Sequence, residues 1–175
     1  AWTAAGGDIL FVESSKMRGK GLLTLTGQLG DVMKESAAAA FTYVKSHTDI
    51  LGLKEDFAEK MDIHVHCPAG AIPKDGPSAG VGMFTSLVSL LTDKPVKSKL
   101  SMTGEITLRG NVLAIGGVKE KVTAAHRAGI RTIILPFANK RDLEEIPEHI
   151  KKDLKFHFAK EVMDVIDVAI PDLKK

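Results

Sequence analysis

The chain has 175 residues, 44% of them hydrophobic and 26% charged, with a formal net charge of +2, which describes a globular chain able to bury one core and read as a single domain over 1–175. So small a charge, with basic and acidic residues interspersed, indicates no nucleic-acid partner and no membrane surface. One cysteine, Cys67, excludes an internal disulfide and fits a reducing, cytoplasmic setting, and there is neither a bilayer-length apolar run nor a basic-then-apolar leader. The chain opens on Ala1 rather than Met, which reads as a piece of a longer polypeptide.

Ile9-Leu-Phe-Val12 is a short apolar run with β-branched and aromatic members and predicts a strand over Asp8 to Glu13. Ser14 to Gly21 is polar and basic and reads as the connection to a second strand, Leu22 to Thr26, in a hairpin. Met33, Ala37, Ala40, Phe41 and Val44 follow helical spacing and predict an amphipathic helix from Asp31 to about Leu51, ended by Gly52. After a helical turn within Lys54 to Lys60, Asp62 to Cys67 alternates, with Ile63, Val65 and Cys67 on one face and His64 and His66 on the other. Asp75-Gly-Pro77 makes a turn, and Val81 to Leu91 reads as a buried helix whose small residues, Gly80 and Gly82, let another backbone come close.

Leu100 to Leu108 predicts one strand, with Leu100, Met102, Ile106 and Leu108 toward the core and Ser101, Thr103, Glu105 and Thr107 away from it. Arg109-Gly-Asn111 turns it into a return strand, Val112 to Ile115. A helix from Val118 to Ala128 stops at Gly129, followed by a strand from Thr132 to Leu135 and a charged helical stretch on either side of Pro147. A strand from Leu154 to Phe158 and a helix from Glu161 to Ile170, burying Val162, Val165, Ile166 and Ala169, complete the chain. Hairpins and short sheets mixed with helices define an α+β (mixed α/β) class.

Ser78 stands at the mouth of an apolar helix, near unpaired N–H groups and the positive end of the helix dipole, where an oxyanion is favoured. It reads either as an N-cap or as a nucleophile in need of a base. With residues at about 100° intervals, Val118, Val122, Ala125 and Gly129 share one arc of their helix, and Lys121 falls inside it while Lys119 points to the polar side. An inward lysine loses stability as ammonium but gains the ability to accept a proton near neutral pH; the other reading has its stem along apolar surface and its charge in water. Thr103 and Glu105 share a polar strand face, either exposed or turned toward the same site. His64-x-His66 is half of a metal site without an evident third ligand, Ser78 with His66 and Asp75 forms a competing triad, and Cys67 falls on the core face.

Three motifs, PKDGPSAG at 73–80, MTGEITLRG at 102–110 and GGVKEKVTAAHRAG at 116–129, resemble the proteolytic domain of the Lon family of ATP-dependent proteases, bacterial type. The similarity extends from Trp2-Thr3 to Leu135-Pro-x-x-Asn-Lys140. It implies the Lon proteolytic-domain fold and a serine endopeptidase hydrolysing unfolded or damaged proteins by a Ser/Lys dyad, with Ser78 as nucleophile and Lys121 as general base. The resemblance also places Thr103 beside the lysine and Glu105, Asp75 and His66 around the cleft as supporting groups. Bacterial members commonly carry an acidic residue where this chain has Ala69, so the loop-ordering role of that carboxylate is not carried over.

A homohexamer is implied too, with substrate-recognition and AAA+ ATPase domains before residue 1. This domain itself is expected to need no cofactor and no metal, ATP and Mg belonging to the ATPase. Two other readings stay open. One is an assembly module largely inactive without its AAA+ motor. The other is a phosphate-ligand site at the Gly76 turn, as in fold-related small-molecule kinases, although GxxxxGK[ST] is absent.

Overall fold

The computed structural model describes residues 2–3, 6–68 and 73–174, so that Ala69 lies outside the described residues. The N-terminal β1 (Trp2–Thr3) and β2 (Gly6–Gly7) pair antiparallel. They are followed by β3 (Glu13–Arg18), β4 (Leu23–Thr26), α1 (Asp31–Ser46), α2 (Thr48–Leu51), α3 (Phe57–Lys60) and β5 (Met61–His66). Next come α4 (Gly80–Thr92), β6 (Leu100–Met102), β7 (Glu105–Ile106), β8 (Val112–Leu113), α5 (Val118–Arg127) and β9 (Thr132–Pro136). A 3-10 helix (Phe137–Glu145), α6 (Glu148–Lys151), β10 (Lys155–Ala159), α7 (Val162–Ala169) and a 3-10 turn (Pro171–Lys174) finish the chain. Helices packed with several small sheets make it an α+β domain.

Two three-stranded sheets organise the core. In the first, β5 lies between β3, antiparallel to it, and β4, parallel to it. The second is all parallel in the order β10-β9-β6. Its central strand is buried throughout and apolar from Ile133 on, because both faces are covered. Ile134 turns into the main core with Phe84, Val88 and Val165, while Ile133 and Leu135 turn to a second core with Val118, Val122 and Ala125 of α5. Helix α7 buries Val162, Val165, Ile166 and Ala169, and its start is held by a capping box between Glu161 and Asp164. Cys67 is buried in a third cluster with Leu29, Met33 and Met83, and burial pushes its thiol pKa up.

Three sequence expectations are corrected here. The strand expected over Asp8 to Glu13 is not one: Ile9–Val12 forms no ladder, and the first long strand is the polar stretch Glu13–Arg18. That stretch is a sheet edge whose residues alternate outward, so polarity suits it, and the apolar run before it lines a cleft instead. Nor do β3 and β4 form a hairpin, because β5 inserts between them. Their connection passes over the start of β5, where Asp62 Oδ1 accepts the N–H groups of Lys20 (2.9 Å), Gly21 (3.2 Å) and Leu22 (2.9 Å).

The strand expected from Leu100 to Leu108 breaks at Thr103-Gly104 into β6, in the parallel sheet, and β7, in a hairpin with β8. Leu108, expected on the core face, is 62% exposed. At the break, Gly104 comes so close to Val112 and Val81 that a Cβ would lie 2.8 Å and 3.0 Å from their methyl carbons. The chain leaves the sheet there because it bonds to α4 instead, through Val81 N–H to the Gly104 carbonyl at 3.1 Å.

Candidate active site

A cleft of about 1630 Å³ lies between α4, α5 and the β6–β9 sheet surface. The segment Ile9–Val12 forms one wall, and the Pro73–Ser78 loop lies at its mouth. Ser78, Asp75, Thr103 and Lys121 all line it, whereas His66 and Glu105 do not.

Ser78 precedes α4 by two residues: the N-cap position is Ala79, and no side chain caps the helix. The hydroxyl of Ser78 is therefore not engaged as the cap that its sequence position suggests. Its carbonyl accepts the Gly104 N–H at 2.9 Å and the Thr103 hydroxyl at 3.4 Å, while the Thr103 N–H donates to Ile134 at 3.2 Å. The break between β6 and β7 thus ties the start of α4 to the sheet.

From α5, the Lys121 amine donates to Thr103 Oγ1 at 3.2 Å. The half-buried Lys121 sits as the helical arc predicts, with Lys119 exposed, and burial lowers its pKa from 10.5 to about 8. No direct hydrogen bond joins Ser78 Oγ to Lys121 Nζ; Thr103 is the link between their segments.

The Ser78 loop is anchored from behind by α1. The carboxylate of Asp75 accepts the N–H groups of Met33 (2.9 Å) and Gly76 (2.8 Å), which holds its pKa below the usual range. The N-cap of α1, Gly30, has no capping side chain, so Asp75 supplies from a distant loop the acceptor that a helix start requires. Ser36 adds a hydrogen bond to the Pro77 carbonyl at 3.3 Å, and the Gly30 N–H donates to the Lys74 carbonyl at 2.7 Å. Nothing in the local sequence signals these contacts, because they join segments some forty residues apart.

A Cβ on Gly30 would lie 2.3 Å from Asp75 Cγ. Gly30→Ala is therefore expected to push the carboxylate off α1, lowering stability by about 1–3 kcal/mol and loosening the Ser78 loop. Chemical denaturation and limited proteolysis near residue 75 check this.

His64 and His66 belong to another network. Thr26 Oγ1 lies 2.7 Å from His64 Nε2 and 2.7 Å from His66 Nδ1; one hydroxyl proton serves one ring, and the hydroxyl oxygen accepts from the other. Among the described residues no group of three or more His, Cys, Asp or Glu side chains could hold a metal ion. His66 is engaged by Thr26 and Asp75 by Met33 and Gly76, so the competing triad has no hydrogen bond between them. Among the described residues, no helix is long and apolar enough to cross a membrane.

The chain belongs to the Lon protease (S16) C-terminal proteolytic domain family, whose model matches residues 1–172. It is 61% identical over 170 residues to the Lon protease of Desulfosudis oleivorans, covering 97% of this chain and 21% of that protein. With the Lon protease of Anaeromyxobacter dehalogenans it shares 62% identity over 172 residues, 98% of this chain and 20% of the relative. The Lon protease of Escherichia coli is 57% identical over 170 residues, 97% of this chain and 22% of the relative. The chain thus spans about a fifth of the length of these curated relatives.

Proposed function

We propose that this domain is a serine endopeptidase using Ser78 and Lys121 as a dyad, the proteolytic part of a homohexameric ATP-dependent protease that degrades unfolded or damaged proteins. The observation that carries the reading is a half-buried lysine with its pKa lowered to about 8, linked through Thr103 to the serine segment in one cleft. A neutral amine donates one N–H to Thr103 and keeps its lone pair for the Ser78 proton. The reaction requires the Ser78 hydroxyl to come within hydrogen-bond reach of this amine.

Ser78 Oγ then attacks the peptide carbonyl as its proton passes to Lys121, forming the C–O bond and a tetrahedral oxyanion. The Gly80 and Val81 N–H groups are already taken, by the Pro77 and Gly104 carbonyls, which leaves those of Ser78 and Ala79 to stabilise the oxyanion. Lys121 returns the proton to the leaving nitrogen as the C–N bond breaks. Water, deprotonated by the same amine, then releases the acyl group, and Ser78 regains its proton.

Thr103 orients both partners. Thr103→Val is expected to keep the fold, remove the link and lower kcat by about 10–100-fold with little change in KM, as steady-state peptide cleavage measures. The Asp75 clasp holds the loop.

The reading is tested by following cleavage of an unfolded protein by wild type and by Ser78→Ala, with folding checked by circular dichroism. Equal cleavage by both would remove Ser78 from the chemistry. The lack of a direct Ser78–Lys121 hydrogen bond supports a second reading, an assembly module completed only when its AAA+ ATPase orders the loop. Short-peptide cleavage by this chain alone, set against the chain joined to its ATPase, separates the two.

A further inference from the structure

Helix α4 is buried on all but one stripe. Gly80, Val81, Met83, Phe84, Thr85, Leu87, Val88 and Leu91 are buried, while Gly82, Ser86 and Ser89 continue at helical spacing from Ser78 and line the cleft, flanked there by Thr85 and Leu90. Sequence reading takes Gly80 and Gly82 alike as packing residues. Only Gly80 is one: its Cβ would lie 3.2 Å from Ile106 and 3.3 Å from the Gly104 carbonyl. At Gly82 a Cβ would meet no atom of the described residues within 4 Å.

A glycine inside a helix lowers its stability relative to alanine, and here no neighbouring atom among the described residues requires it. The space it leaves opens into the cleft one helical turn along from Ser78, between α4 and the apolar wall at Ile9–Val12. On the peptidase reading, a peptide that runs along α4 from Ser78 places one of the two residues flanking the attacked carbonyl over this stripe.

We propose that Gly82 sets the size limit for the substrate side chain that flanks the attacked carbonyl on the α4 side. This specificity role rests on the peptidase reading above. The space suits a bulky side chain, and any side chain at position 82 takes volume from it. Beyond, Ser86 is held by Ser14, hydroxyl to hydroxyl at 2.7 Å, so the wall past Gly82 is fixed and polar.

The test compares wild type, Gly82→Ala and Gly82→Leu on peptides carrying Phe or Ala at each residue flanking the cleaved bond. The assay uses whichever form cleaves peptide, this chain alone or the chain joined to its ATPase. The expected result is a fall in the Phe-to-Ala ratio of kcat/KM, at one flanking position, by about tenfold or more in Gly82→Leu and by less in Gly82→Ala, with Tm of the alanine variant at or above wild type. An unchanged ratio at both positions in the alanine and leucine variants overturns the proposal. Should Gly82→Leu fail to fold, the alanine variant decides by the same ratio. Failure of the peptidase reading itself has a different signature, namely wild-type cleavage that survives Ser78→Ala.

Discussion

Replacing Lys121 by Met is expected to reduce kcat/KM for an unfolded protein by about 10⁴-fold or more, and Ser78→Ala to do the same, because groups that act as one unit are not additive. The pH dependence makes the test specific to the amine. With its pKa at about 8, roughly one-tenth of the lysine is neutral at pH 7, so the wild-type rate should rise through pH 8 to a plateau. Stability moves with the same proton. The folded pKa lies below the ordinary 10.5, so the buried ammonium destabilises the fold below about pH 8. That penalty fades between pH 8 and 10.5, where the unfolded chain still holds a proton that the folded chain has released.

The Met variant lacks this charge. It should be more stable than wild type at pH 7 by about 1–2 kcal/mol, discounted for a partly solvated amine, and the difference should narrow toward pH 10.5. A variant that is dead yet sturdier is what a base held at the expense of stability predicts. If Lys121→Met kept near-normal turnover while His66→Ala lost it, the base would be His66, despite its bond to Thr26 and its place outside the cleft.

The second large effect is on folding. Phe84 is fully buried in the main core, its ring edge-on to Tyr43 at 5.5 Å between centroids. Phe84→Ala leaves a cavity between α4, α1 and the sheets and should cost about 3–5 kcal/mol, a large share of the ~5–15 kcal/mol typical of a domain. Urea unfolding should show a lower midpoint with an unchanged slope. Because α4 also carries the Ser78 loop, activity should fall with the folded fraction, while kcat per folded molecule holds below the transition.

Periodicity carried much of this architecture. The buried stripes of α1 and α7, the alternation of β5 and the inward turn of Lys121 are local patterns, since one element's burial is written in its own spacing. Pairing partners are another matter. The polar edge strand β3 and the insertion of β5 between β3 and β4 depend on contacts made across the molecule, and no pattern in Glu13–Arg18 announces them. The same holds for the site. Spacing selects Lys121 over Lys119, and the motif resemblance pairs it with Ser78, 43 positions away. The hold of Asp75 and Ser36 on the loop, and the open space at Gly82, appear only in three dimensions.

Asp75 leaves α1 and the serine loop sharing a single latch. The carboxylate that holds the Gly76 N–H is the same one that accepts from Met33, so the loop cannot swing out without uncapping the helix. Whatever moves the start of that helix therefore also bears on the loop that carries Ser78.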